Sequence, residues 1–254
     1  MKAFIPAAGL GTRLRPFTLS HPKALVPVDG VPILERVIVR LKNQGFDDFV
    51  INLHHFGDQI RDFVKSKDNF GVKIRFSDES GQLLETGGAL LHAAGMLGAT
   101  EEPFLIHNVD ILSNADLRGL MKTHEDEKAA ATLLVSDRES SRRLLFDNSM
   151  NLRGWHNVAK DLFRPESERK EIVKGLQEGV LYEKAFSGIH VMSPGAIFEE
   201  MCRQKKEGVF SVIDFYLDAI SSIEIKGCVA ANLRMIDIGK PETLAKVAEY
   251  SDLL

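Results

Sequence analysis

The segment Ala7-Ala8-Gly9-Leu10-Gly11-Thr12-Arg13-Leu14-Arg15-Pro16 has the composition of an anion-binding loop. Glycines let backbone N–H groups close on a phosphate and form a concavity of donors. Arg13 and Arg15 add fixed positive charge, and Lys23 adds another cation in His21-Pro22-Lys23, where the proline stiffens its approach. Two carboxylates complete the set. Asp110 follows an apolar run in Asn108-Val109-Asp110, and Asp237 is flanked by apolar residues in Met235-Ile236-Asp237-Ile238-Gly239. An acidic residue inside a buried strand needs a partner, and a metal ion is one. The chemistry to expect is phosphate binding with electrostatic catalysis. Two common phosphate motifs are absent. No Gly-x4-Gly-Lys-Ser/Thr occurs, and Leu14 stands where a dinucleotide fingerprint needs its third glycine. Asp29 lies at the distance such a fingerprint wants for its acidic residue, but in a turn before a helix rather than at the end of a second strand.

The elements that must position these residues alternate. Residues 2–7, 49–53, 72–76, 104–107 and 129–135 read as strands; 33–43, with a 3.6-residue apolar period, 57–65, with one apolar face, the small-residue 88–97, and 115–124 read as helices. Such alternation predicts an α/β fold: a mainly parallel, doubly wound sheet with helices on both faces. In that arrangement ligands lie outside the carboxyl ends of the strands. Residues 8–23, 78–88 and 108–110 all fall on that edge. Beyond residue 136 the pattern changes. Residues 137–143 and 164–174 are charge-rich and read as solvated loops or a short exposed helix. Strands are expected at 144–146, 152–155, 186–192 and 233–238, and helices at 194–201, 212–220 and 241–250. This second, smaller part reads as mixed or antiparallel and as a wall on the same core. The expectation is one domain over 1–254, with 1–135 as the core that carries the phosphate-binding loop and 136–254 as the remainder with a closing helix.

Composition excludes several classes. The 254 residues carry 32 Lys+Arg against 36 Asp+Glu, so no global field draws nucleic acid or an anionic membrane. No apolar run is long enough to span a bilayer, and the N-terminal apolar stretch breaks into Gly and Arg too early for a leader. Cys202 and Cys228 are too few for a disulfide framework or a structural zinc site; buried, unreactive thiols in a reducing cytoplasm are expected. His54-His55 reads as a strand end rather than a metal site, and Trp155 as a packed residue in a Gly-Trp turn. Nothing in the sequence indicates the oligomeric state.

Gly9-Leu10-Gly11-Thr12-Arg13-Leu14-x-Pro16 with Pro22-Lys23 resembles the signature of the sugar-1-phosphate nucleotidyltransferases, the nucleotide-sugar pyrophosphorylases. The resemblance runs from residue 1 to about 124 and resumes at 186–194 and 236–244. It implies a Rossmann-like nucleotidyltransferase fold with a smaller sugar-binding part. It also implies the reaction NTP plus sugar 1-phosphate to NDP-sugar plus pyrophosphate. Residue by residue, it implies that Gly11, Thr12 and Arg13 hold the leaving phosphates, Lys23 sits near the α-phosphate, and Ala8, Gly9, Glu85 and Gly88 border the base. Asp110 and Asp237 would hold Mg²⁺, and Ser187 and Gly188, with Asn108 nearby, would border the sugar. Arg13, Lys23 and Asp110 are then the expected catalytic residues. Within the family, Leu84-Glu85-Thr86-Gly87-Gly88 and Phe186-Ser187-Gly188-Ile189 look most like the N-acetylmuramate 1-phosphate uridylyltransferases. GTP-dependent mannose-1-phosphate or related guanylyltransferases are the alternative, and a non-catalytic nucleotide sensor is an alternative of another class. Two departures stand out. Val109 occupies the place of a family glycine, and Glu183-Lys184 lies too close to Phe186-Ser187-Gly188 to match the family's Glu-Lys sugar-phosphate motif.

Overall fold

The computed structural model describes residues 1–98 and 101–253. Its strands, in chain order, are β1 (Lys2–Pro6), β2 (Pro27–Val28), β3 (Val31–Pro32), β4 (Asp48–Leu53), β5 (Lys73–Asp78), β6 (Phe104–His107) and β7 (Ile111–Ser113). They continue with β8 (Ala131–Ser136), β9 (Arg142–Asp147), β10 (Leu152–Asn157), β11 (Leu162–Arg164), β12 (Leu181–Met192), β13 (Ile225–Val229) and β14 (Met235–Asp237). The α-helices are α1 (Ile33–Asn43), α2 (Gly57–Ser66), α3 (Glu85–His92), α4 (Ala94–Leu97), α5 (Leu117–Glu127), α6 (Arg169–Gln177), α7 (Pro194–Arg203), α8 (Val212–Ala219) and α9 (Pro241–Leu244).

Strands β5, β4, β1 and β6 lie side by side and run parallel. The twelve-residue β12 then runs antiparallel to β6 and to β8, and β13 adds to β8 in parallel. The first half of β12 (181–184) departs from this core and pairs with β9, which carries β10 and β11 in an antiparallel ribbon. The expected α/β sheet with helices on both faces is therefore present, and the antiparallel part is joined to it through one strand. Side chains alternate between two cores, as strand geometry requires. Ala3, Ile5, Phe49 and Ile51 face α1, α2 and α5, while Phe4, Val50, Phe104 and Ile106 face α3, α7 and α8. Asp116 caps α5 by accepting from the Gly119 N–H at 2.9 Å.

Some expectations need correcting. Trp155 sits inside β10, not in a turn. The closing helix stops at Leu244 and continues as a 3-10 turn over Val247–Leu253. Cys202 is exposed on the last turn of α7, so it is not a buried thiol; Cys228 is half-buried, and desolvation pushes its thiol up. His54 donates from Nδ1 to the Glu79 carbonyl at 2.7 Å, a local strand-end contact.

Candidate active site

The carboxyl ends of β1, β4, β5 and β6 share one edge, and the segments that follow them form a groove there. Three connected cavities make it up. The loop-side cavity, about 350 Å³, is lined by Ala8, Gly9, Lys23, Glu85 and Asp110 among others. A middle cavity of about 350 Å³ shares Pro6, Thr86, Asn108 and Asp110 with it and adds Ser187, Gly188, Arg138 and Asp237. Arg138, Phe186 and Ile213 lead on to an outer cavity of about 610 Å³ under Trp155.

The loop after β1 is shaped by its backbone. Gly11 lies at φ +60°, in the left-handed region, and a Cβ there would stand 2.9 Å from both Lys23 Cβ and Thr18 Cγ2. Only glycine fits both the turn and the contact. Thr18 donates to the Gly11 carbonyl at 2.9 Å. At the loop's start, the Ala7 and Ala8 N–H groups donate to Asn52 Oδ1 at 2.5 and 3.3 Å. Asn52 in turn donates to Glu79 at 2.8 Å, and the other Glu79 oxygen accepts from the Leu84 N–H at 3.4 Å. Burial raises the Glu79 carboxyl above its ordinary range, against the stabilising bond from Asn52. The loops after β1 and β5 are thus tied through two buried polar residues, 3% exposed each, that were not singled out from sequence. A lone polar residue in the apolar run 49–53 was the available signal.

Lys23, Asp110 and Asp237 converge over Gly239. Lys23 Nζ donates to Asp110 Oδ2, and the two side chains are only 14% and 16% exposed. A Cβ on Gly239 would lie 2.9 Å from Asp110 Oδ2, 2.9 Å from Asp237 Oδ1 and 3.1 Å from Lys23 Nζ. The cause is a short antiparallel ladder. Asp237 in β14 pairs with Ile111 in β7, and the Ile238 N–H donates to the Asp110 carbonyl at 2.9 Å. Asp237 itself is exposed between buried Ile236 and Ile238, so it is not the buried acid expected from its neighbours. Two hard carboxylate oxygens facing one space suit Mg²⁺, which takes one or two carboxylates and fills its remaining positions with water and phosphate oxygens. Among the described residues no group of three or more His, Cys, Asp or Glu side chains is arranged as a metal cage.

On the far side, a bulge interrupts the pairing of β12 with β8 between Phe186 and His190. Gly188 there has φ +76°, and a Cβ would meet Asn108 Nδ2 at 2.7 Å. The bulge therefore makes room for Asn108, whose N–H donates to the Gly188 carbonyl at 3.1 Å. Ser187 is buried and spends its hydroxyl on the Leu134 carbonyl at 2.8 Å. Arg138, read from sequence only as part of a charged loop, stands at the junction of the middle and outer cavities and donates to the Phe186 carbonyl at 2.8 Å. Partial desolvation pulls its guanidinium down while the charge of Asp237 pushes it back up.

The structure thus brings Ala8, Gly9, Lys23, Glu85, Asn108, Asp110, Ser187, Gly188 and Asp237 onto one groove. It does not bring Gly11, Thr12, Arg13 or Gly88 there. Thr12 and Arg13 are exposed on the short turn Thr12–Leu14. Gly88, expected beside a base, is buried under the chain at 208–210, where a Cβ would lie 2.2 Å from the Gly208 carbonyl oxygen. Its neighbour Glu85 does face the groove, held at φ +58°. Glu183 and Lys184 line none of the three cavities. Glu183 accepts from Arg143 at 3.2 Å, and Lys184 donates to Asp137 at 2.6 Å.

Residues 2–144 match the family model described as Nucleotidyl transferase, which is more than half of the chain. The chain belongs to the nucleotidyl transferase family. Two relatives are named N-acetylmuramate alpha-1-phosphate uridylyltransferase. The protein from Caulobacter vibrioides is 27% identical over 99% of this chain and 96% of its own length. The one from Neisseria meningitidis serogroup B is 41% identical over 48% of this chain and 52% of its own length. Among solved structures, HddC from Yersinia pseudotuberculosis complexed with GMP-PN superposes with a TM-score of 0.72, at 24% identity over 98% of both chains. That likeness concerns the fold. As a nucleotidyltransferase, the protein lines the loop-side cavity almost wholly with the family-matched residues 2–144, the middle cavity half with them, and the outer cavity mostly with residues beyond them. No helix among the described residues is long and apolar enough to cross a membrane.

Proposed function

We propose that this nucleotidyltransferase transfers a nucleotidyl group from an NTP, UTP by preference, to a sugar 1-phosphate of the N-acetylmuramate type. The observation that carries the reading is the convergence of Lys23, Asp110 and Asp237 midway along the groove, between the glycine loop and Arg138. An oxygen of the sugar phosphate attacks the α-phosphorus, the new O–Pα bond forms, and the Pα–O bond to pyrophosphate breaks. The attacking phosphate has a second pKa of about 6 and needs no general base at neutral pH. Positioning and charge supply the catalysis.

In this reading Ala8 and Gly9 border the nucleotide with Glu85, and Lys23 turns from Asp110 to the α-phosphate when substrate arrives. Gly11, Thr12 and Arg13 reach the leaving phosphates from outside the groove wall, Arg13 being exposed and without an ion pair among the described residues. Asn108, Ser187 and Gly188 shape the sugar side, and Arg138 faces the sugar phosphate. Asp110 and Asp237 would hold Mg²⁺, which, when bound, supplies charge neutralisation to the phosphates. Residues 1–135 would serve the nucleotide and 136–254 the sugar, within one domain and in a cytoplasmic setting.

Turnover of Lys23→Ala and Asp110→Ala tests the proposal. Each is expected to lose about two or more orders of magnitude, the size of effect seen when a preorganised electrostatic group is removed. Near-normal turnover in either folded variant would contradict it.

A further inference from the structure

The outer cavity is lined by three arginines and two acids. Arg138, Arg142 and Arg164 face it, against Glu85 and Asp214. These charges are not equally committed. Arg164 donates to Asp214, in the first turn of α8, so that pair is internally neutralised. Arg138 is held by the Phe186 carbonyl at the inner end, beside the middle cavity. Arg142 differs from both. Its guanidinium makes no hydrogen bond or ion pair among the described residues, although its backbone is fixed by Ser140, whose hydroxyl donates to the Arg142 carbonyl at 2.8 Å. The alternation of β9 explains its direction. Arg142 and Leu144 share the face toward the cavity, while Arg143 between them bonds Glu183 on the other face. The half-buried rings of Trp155 and Phe186 supply apolar wall between the two ends, the surface a sugar ring packs against.

Resting on the proposed sugar 1-phosphate reaction, we infer that the acceptor carries a second anionic group, remote from the 1-phosphate, and that Arg142 binds it. An unpaired guanidinium at the end of a cavity away from the reacting carboxylates recognises a carboxylate or phosphate by charge-assisted, two-pronged hydrogen bonds. Arg142 is a specificity residue in this scheme and takes no part in the chemical step. Its neighbour pair Arg164–Asp214 is already neutralised, so Arg142 is the cavity's one arginine whose guanidinium has no partner among the described residues.

Matched acceptors test this. N-acetylmuramate 1-phosphate and N-acetylglucosamine 1-phosphate differ by one carboxylate-bearing ether; glucose 1,6-bisphosphate and glucose 1-phosphate differ by one phosphate. The intact chain is expected to prefer the charged member of one pair in kcat/KM by about tenfold to a hundredfold, the range for a hydrogen bond to a charged group. The pair that shows the preference identifies the anion as carboxylate or phosphate. Arg142→Ala should remove that preference while leaving the neutral acceptor's kcat/KM unchanged, and Arg142→Lys should restore part of it. Equal use of charged and neutral acceptors, or an equal loss for both in Arg142→Ala, would overturn the inference and leave the proposed reaction standing. No turnover with any of the four acceptors and any NTP would overturn the reaction itself, and the inference with it.

Discussion

The two ends of the groove are built by different means. The loop-side end is shaped by backbone: Ala8 and Gly9 after β1, held through Asn52, and the strand end at Asn108–Asp110, with the Gly11 turn behind that wall. The outer end is made of side chains on the antiparallel ribbon and α8, chiefly Arg142, Trp155, Arg164 and Ile213. Backbone geometry demands particular residues, since a Cβ at Gly11 would meet two side chains at 2.9 Å. Exposed side chains on a ribbon can be exchanged without disturbing the core. The family model ends at residue 144, inside β9, where the second kind of construction begins. A wall shaped by main-chain geometry leaves a motif in the sequence; one built from surface side chains does not.

Lys23→Ala and Asp110→Ala strike where the two ends meet and should have the largest effect, as given above. Next, Gly88→Ala separates packing from chemistry on the loop side. Its Cβ would press on the Gly208 carbonyl at 2.2 Å, and overpacking of this kind costs about 1–3 kcal/mol. In a chain of this size that lowers Tm by roughly 2–10 °C, while turnover of the folded fraction should stay within about threefold. A collapse of turnover at unchanged Tm would return Gly88 to the nucleotide site. On the sugar side, Arg138→Ala should raise KM for the sugar 1-phosphate about tenfold, the loss of one charge-assisted bond, with KM for the NTP unchanged. A rise in the NTP's KM instead would move Arg138 to the other end of the groove.

A separate effect, on stability and not on turnover, concerns the sheet that carries both ends and the helix α5 packed on it. His107, His124 and His190 are buried, and desolvation lowers their pKa to about 4, about 4 and about 3. The unfolded chain takes up these protons near pH 6.5 and the folded chain does not. The stability they contribute is therefore complete above pH 6.5 and is lost as pH falls toward 4. Glu79, raised by burial, acts in the opposite direction and offsets part of this. Tm should drop by roughly 10–20 °C between pH 6.5 and 4.5. A flat Tm across that range would contradict the burial of these imidazoles as neutral rings.

Much of the fold was legible because the parallel strands and amphipathic helices of the first half carry clean periods. Less was legible past residue 136. Residues 142–143 and Arg164 read as charged loop yet lie in strands, because ribbon strands with one open face accept arginine. The strand at 225–229, around Cys228, was not among the strands expected. At the site, Asp110 and Asp237 were expected together from resemblance, and the β7–β14 ladder supplies the physical cause. Asn52 and Glu79 were missed because their work is on neighbouring backbone, which carries no motif. Arg138 was missed because a charged loop is ordinarily a solvated one.

The most direct test of the proposed reaction is pyrophosphate release with Mg²⁺ present, crossing UTP, GTP, CTP and dTTP against N-acetylmuramate 1-phosphate, mannose 1-phosphate and glucose 1-phosphate. The expected result is strong turnover in one combination, UTP with N-acetylmuramate 1-phosphate, and its loss in Asp110→Ala. Release in no combination, by a protein that still binds nucleotide, would contradict nucleotidyl transfer at the Lys23–Asp110–Asp237 centre.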